Sequence, residues 1–204
     1  VGTSVIWSMV RSMPRSRGYG GMTGLFAYPA QMDRSCLIVG CGYTGVRLAR
    51  RLRPRWRVAA TARSDRAAAS LGAAGIEVVR ADLDVVQPPG SLSIAADGAA
   101  IAYLAPPPDT GNADPRLENL LVALGSAQPA MLLYMSTTGV YGDTRGATVT
   151  EESPLAPTND RSRRRLAAES VVRAWCTARG VRCVVLRVPG IYGPGRLPLE
   201  RLRG

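Results

Sequence analysis

Cys36-Leu37-Ile38-Val39-Gly40-Cys41-Gly42-Tyr43-Thr44-Gly45 is an apolar run that breaks into three glycines spaced G-x-G-x-x-G. Leu37 to Val39 suit a buried parallel strand, and Val46, Leu48, Ala49 and Leu52 continue as one apolar helix face. Each glycine then has its own task. The first permits a tight turn, the second lets backbone approach a pyrophosphate, and the third lets helix pack on strand. The N–H groups of the first helical turn have no intrahelical acceptor and so face the anion. Gly-rich turns are common, and it is the strand before and the helix after that give this one its meaning. Gly40, Gly42, Tyr43, Thr44 and Gly45 are therefore candidates for cradling a nucleotide's phosphates.

Outward from this turn, strands and helices alternate. Strand Cys36–Val39, helix Thr44–Leu52, strand Arg57–Thr61, helix Asp65–Ala74 and strand Glu77–Arg80 form a βαβαβ half. The pattern repeats more loosely as strand Ala99–Leu104, helix Pro115–Ser126, strand Met131–Met135, helix Arg161–Arg179 and strand Arg182–Val188. Parallel strands with crossover helices predict an α/β fold, a doubly wound parallel sheet in three αβα layers (Rossmann fold). Between the last two strands runs a long connection, Ser136 to Asp160, rich in Thr, Gly, Pro and Asp, and loops of that length are commonly functional. Residues 1–31 are rich in Gly, Ser, Arg and Met without a period, which reads as a disordered or non-native extension ahead of a domain spanning 32–204. Leu199 to Gly204 reads as an amphipathic helix barely begun, as in a truncated reading frame.

A chain of 204 residues holds one well-buried domain and is short for two. Its net charge of +11 raises nucleic acid as a partner, but all 26 basic residues are Arg and they are scattered along the chain. That pattern fits drift toward GC-rich codons better than a phosphate-tracking surface, so no nucleic-acid role is expected. Cys36, Cys41, Cys176 and Cys183 form no C-x-x-C, and there is no histidine to complete a zinc site, so no metal is expected. No apolar run approaches the roughly 18 residues of a membrane span, and residues 1–13 lack a signal-peptide core, so a soluble cytoplasmic protein is expected.

Dinucleotide-binding sheets commonly place an acidic residue about 20 positions after the glycines, where it binds ribose hydroxyls and selects NAD. Here that place reads Ala60-Thr61-Ala62-Arg63-Ser64. Arg63 with the Ser64 hydroxyl suits a ribose 2′-phosphate and predicts NADP, with NAD as the other cofactor; the alternative is a surface arginine in an Arg-rich chain. Asp82, in Arg80-Ala81-Asp82-Leu83-Asp84, follows the third strand and suits either the adenine amino group or a turn cap.

Taken together, these residues resemble the extended and atypical short-chain dehydrogenase/reductases, including the NAD-dependent epimerase/dehydratases, and within them the YeeZ-like group. The ordered blocks that carry the resemblance begin with Gly40-Cys41-Gly42-Tyr43-Thr44-Gly45, Ala81-Asp82-Leu83 and Tyr103-Leu104-Ala105. They continue through Ser136-Thr137-Thr138-Gly139-Val140-Tyr141-Gly142, Leu166-Ala167-Ala168-Glu169 and Arg187-Val188-Pro189-Gly190-Ile191-Tyr192-Gly193-Pro194-Gly195. The resemblance implies that the stretch Tyr103 to Pro106, through Leu104, Ala105 and Pro106, passes beside the cofactor's ribose and phosphate, and that Leu83 also belongs to the cofactor site. It puts Pro189, Gly190 and Ile191 beside the nicotinamide. It also implies oxidoreductase or epimerase chemistry on a small hydroxyl, carbonyl or nucleotide-sugar substrate, and a homodimer whose candidate faces are Pro115–Ser126 and Arg161–Arg179. It further implies a chain truncated before a substrate-binding C-terminal part.

Family catalysis uses a Ser or Thr at the end of the fifth strand, matched by Thr137, and a Y-x-x-x-K pair on the next helix. Counting back from Leu166-Ala167-Ala168-Glu169 puts Arg165 at the lysine position and Arg161 at the tyrosine position. Arg165 suits ribose hydroxyls, whereas Arg161 is permanently charged and cannot act as a general base. Tyr141 is the nearest surviving phenol and completes the catalytic candidates. The missing pair leaves a non-catalytic NAD(P)-sensing module as the alternative. Arg161, Arg163, Arg164 and Arg165 together are expected to form a solvated helix face with Arg165 turned toward the cofactor.

Overall fold

The computed structural model describes residues 34–197; the readings made for residues 1–31 and for Leu199 to Gly204 lie outside them. Six strands, β1 (Ser35–Val39), β2 (Arg57–Ala62), β3 (Glu77–Arg80), β4 (Ala100–Tyr103), β5 (Met131–Thr137) and β6 (Arg182–Val188), form one sheet in the order β3-β2-β1-β4-β5-β6. Every pairing is parallel, with Ile38 opposite Ala60 and Ala102 in its two neighbours. The helices are α1 (Tyr43–Leu52), α2 (Asp65–Ala73), α3 (Ser93–Ala96), α4 (Pro115–Leu124) and α5 (Asp160–Arg179).

Both sheet faces are covered, which is why the central strands read as continuous apolar runs. On one face Cys36 and Ile38 pack under Leu48, Ala49 and Leu52 of α1 and Leu71 of α2. On the other, Leu37 and Val39 meet Leu117, Leu120 and Leu124 of α4 and Val172 of α5. The alternation of neighbours between faces follows from the two-residue strand period. Tyr103 and Tyr134 lie opposite each other on β4 and β5 and stack with centroids 5.6 Å apart. The Tyr103 hydroxyl donates to the Asp114 carboxylate at 3.2 Å.

Local chemistry sets the helix ends. Ser64 caps α2 by accepting from the Ala67 N–H, and Asp114 caps α4, which has Pro115 in its first turn. Asn159 accepts from the Ser162 N–H at 2.9 Å to start α5, and left-handed Gly180 ends it. The connection after β5 begins as a 3-10 turn, Thr138–Tyr141. Among the described residues, no helix is long and apolar enough to cross a membrane.

One expectation is corrected here. The four arginines at the start of α5 are only in part a solvated face: Arg164 is 5% exposed, as is Arg165, which turns inward to line the cavity described below. Arg164 donates to the carbonyls of Gly111 (2.7 Å) and Asp109 (3.0 Å), because α5 packs against the loop that follows β4 and those carbonyls need donors. Arg161 and Arg163 are exposed, and Arg163 pairs with Asp160 at 2.6 Å.

Candidate functional site

The chain's direction of crossing reverses between β1 and β4, and a crevice opens beyond the carboxyl ends of the strands at such a point. Here it is a cavity of about 1050 Å³. Its floor is the glycine turn. Gly40 has φ +84, and a Cβ there would stand 2.5 Å from the Ala105 backbone nitrogen, so the turn tolerates no side chain. A Cβ on Gly45 would stand 3.2 Å from the Gly40 carbonyl and the Ile38 side chain, so helix and strand are in close contact at that point. Gly42 faces open space, where a Cβ would meet nothing within 4 Å. The first turn of α1 contains no acidic residue and lines the cavity. Burial pushes the Cys41 thiol up to about 11, so it stays neutral beside these N–H groups. A cradle of bare backbone, positive helix end and no carboxylate fits the phosphates of a dinucleotide.

At one end of the cavity stand Arg63, Ser64, Asp82, Leu83, Asp84 and Arg116. Arg63 leaves the tip of β2 with its side chain 66% exposed and bonds Asp84 at 2.8 Å. Asp84 also accepts from Arg116, and these two guanidiniums, Arg116 first, hold its carboxyl below the usual carboxylate range. Asp82 accepts from the Asp84 N–H at 3.0 Å, so it closes the turn after β3 while still lining the cavity. Arg116 reaches across to the Pro106 carbonyl at 2.9 Å, tying the loop after β4, with Leu104 and Ala105, along the cavity wall.

The other end is built by the tip of β5, the start of α5 and residues 188–191. Thr137 Oγ accepts from the Gly139 N–H at 3.1 Å, which leaves its own proton free to donate. Arg165 donates to the Met135 carbonyl (2.8 Å) and the Tyr134 hydroxyl (3.3 Å) at the cavity's edge. Pro189, Gly190 and Ile191 complete the wall. Tyr141 lies elsewhere. It is 8% exposed, its hydroxyl accepts from Arg187 at 2.9 Å, and it is not among the lining residues. Arg187 in turn pairs with the buried Glu169 at 2.8 Å, and Glu169 accepts from Ser136.

Every other site residue read from the sequence lines the one cavity. Tyr43 does so with the guanidiniums of Arg47 and Arg196 over its ring, 3.5 Å and 5.4 Å from the centroid, and its hydroxyl donates to the Pro194 carbonyl at 3.2 Å. Arg66, Arg116, Asn159, Arg161, Ser162 and Arg196 also line the cavity. Helical spacing from Arg165 is a signal for Arg161 and Ser162, at i−4 and i−3. Arg116 and Arg196 belong to no motif and reach the cavity through tertiary packing.

A family model for the NAD dependent epimerase/dehydratase family matches residues 36–202. No curated protein matches the chain. Among solved structures, a functionally unknown conserved protein from Silicibacter pomeroyi is 33% identical with a TM-score of 0.63, covering 83% of this chain and 57% of that one. A UDP-glucuronic acid 4-epimerase from Bacillus cereus in complex with NAD is 20% identical with a TM-score of 0.64, covering 80% and 58%. A UDP-galactose 4-epimerase, also 20% identical, has a TM-score of 0.66 and coverage of 83% and 62%. The two epimerases are likenesses of fold. The chain spans about three-fifths of the length of these structures.

Proposed function

This chain belongs to the NAD-dependent epimerase/dehydratase family, and on that premise we propose that its cavity binds NADP(H) and serves oxidoreductase or epimerase chemistry on a small hydroxyl, carbonyl or nucleotide-sugar substrate. The observation that carries the choice of NADP is Arg63 at the tip of β2, where an NAD-selective site presents a carboxylate. Its fork, steadied by Asp84, suits a ribose 2′-phosphate. The backbone of Gly40 to Gly45 takes the pyrophosphate. Arg165 holds ribose hydroxyls, and Pro189 to Ile191 wall the nicotinamide from water. When bound, the nicotinamide supplies the hydride donor or acceptor. Thr137, with one oxygen lone pair taken by the Gly139 N–H, donates a hydrogen bond to a substrate oxygen.

The test is a titration with NADPH and NADH followed by nicotinamide fluorescence, repeated with Arg63→Ala. NADPH is expected to bind more tightly, and the substitution to weaken NADPH about tenfold or more while sparing NADH. Equal affinities in the wild type would remove the NADP assignment, and no binding of either cofactor would remove the function.

A second reading has a specific observation behind it. Guanidiniums stand at both positions where the family carries its tyrosine and lysine, and an arginine does not exchange protons near neutral pH. The protein is then an NAD(P)-sensing module. Cofactor binding without turnover across hydroxyl and carbonyl substrates would select it.

A further inference from the structure

We infer that the nicotinamide end of the cavity is an anion subsite and that the substrate carries a compact oxyanion, a carboxylate or phosphate ester, received by Arg161. The inference rests on the NADP(H) reading above and deepens it.

Arg161 and Arg165 are one helical turn apart on α5, and both line the cavity. Neither takes part in an ion pair among the described residues. The carboxylates nearest in sequence are committed elsewhere: Asp160 to Arg163 at 2.6 Å, and Glu169 to Arg187 at 2.8 Å. Arg165 is buried and meets only neutral oxygens, those of Met135, Tyr134 and, at 3.5 Å, Ala105. Its direct partners are neutral, and the buried Asp114 carboxylate that feels its charge does not line the cavity, so part of its positive field remains in the adjoining space. Arg161 adds an exposed charge at the positive end of the α5 dipole, where a cation is unfavourable unless an anion joins it. The two carboxylates that line the cavity, Asp82 and Asp84, both lie at the adenosine end. Arg161 thus offers a fork matched to two oxygens, and Arg165 and Ser162, which line the same cavity, add a second charge and a further donor. The arrangement exchanges a proton-transferring pair for an anion-holding one, so recognition at this end selects by substrate charge.

Calorimetric titration of the NADPH-saturated protein with oxalate and with inorganic phosphate, at ionic strength matched by chloride, tests this. Both titrations are repeated with Arg161→Gln and with Arg163→Gln, an exposed neighbour outside the cavity. At least one anion is expected to bind, and to bind about tenfold more weakly or worse in Arg161→Gln. Arg163→Gln is expected to change neither the anion affinities nor that for NADPH. Binding of oxalate alone assigns a carboxylate, and of phosphate alone a phosphate ester. Failure of both anions to bind, equal weakening in the two variants, or displacement of the anions by NADPH would each overturn the inference. Failure of the cofactor reading shows separately, as wild-type protein that does not bind NADPH; the anions are then titrated without it, and dependence on Arg161 still decides.

Discussion

Gly40 concentrates two constraints on one residue. Its φ of +84 is a conformation that L side chains rarely adopt, and the Ala105 backbone occupies the space a Cβ would need. Gly40→Ala should therefore cost about 1–3 kcal/mol from backbone strain alone, before the Ala105 clash is added. It should also abolish NADPH binding, because relief comes only by moving the cradle. Urea unfolding and fluorescence titration of the same variant check both. Glu169 is a different kind of critical residue. It is 2% exposed, and its partner Arg187 has a side chain 12% exposed, so Glu169→Ala strands a largely buried guanidinium. A loss of about 3–5 kcal/mol in unfolding free energy is expected, with Tyr141 loosened as Arg187 relaxes. The cysteines offer a pH-dependent test. Cys41 and Cys183 are both partly exposed, but burial pushes Cys41 up whereas a hydrogen bond from Cys176, aided by Arg173, holds Cys183 below the usual thiol range. Thiolate is the reacting form, so iodoacetamide should label Cys183 before Cys41, at a rate that climbs through neutral pH. Cys176→Ala should slow that labelling, as peptide mass spectrometry would show; unaltered kinetics would mean the hydrogen bond does not set Cys183's reactivity.

Among the elements, α5 organises most of the site through its first two turns. Arg164 pins the loop after β4 by two bonds to carbonyls, yet its Nε has no partner although buried. Two charge-assisted bonds of about 1.5–3 kcal/mol each are thus opposed by burial of a charge and an orphaned donor. Near-cancellation is expected: Arg164→Met should shift global stability by only about 1 kcal/mol while hydrogen exchange over residues 109–113 quickens markedly. Unchanged exchange would show that something other than Arg164 orders the loop. The same helix marks where the sequence stops being legible. The central strands were readable because buried parallel strands are apolar throughout; the edge strands β3 and β6, only partly buried, also have the bounds expected from their short apolar runs, and β2 runs one residue further. The cap at Asn159 and the stop at Gly180 are local chemistry, although Asp160 joins α5 one residue earlier than periodicity suggested. The 3-10 turn after β5 and the four-residue α3 are too short to show a period. The burial of Arg164 has no local signal either, since it depends on carbonyls more than fifty positions earlier in the chain. The glycine cradle was legible because its function resides in backbone geometry that only glycine permits. Arg116 and Arg196 were not, because their place in the cavity is set by which loops pack together.

At the scale of the whole molecule, the net charge of +11 is an excess left after every carboxylate is counted, and it could attract any polyanion. Arg57, Arg63, Arg80, Arg116, Arg163 and Arg187 all pair with carboxylates. What distinguishes the cavity from this general positive surface is convergence. The bare helix end, Arg63 and the substrate-end arginines meet at the point where the sheet changes direction, so a molecule anionic in several places along its length is held by several elements at once. Such a ligand bridges β1, β2, β4 and β5, and its binding is coupled to the folding of the whole sheet rather than to one loop. Linkage then fixes the size of the effect. NADPH at 100 times its dissociation constant should stabilise the native state by about 2.7 kcal/mol, raising the unfolding temperature of a domain of this size by about 5–10 °C. NADH at the same concentration should give a smaller rise, and Arg63→Ala should bring the two curves together. Thermal unfolding followed by circular dichroism, with chloride at matched ionic strength as the control, measures all three. A rise that chloride reproduces would mean that diffuse screening of the arginines, and not a built dinucleotide site, is what stabilises the fold.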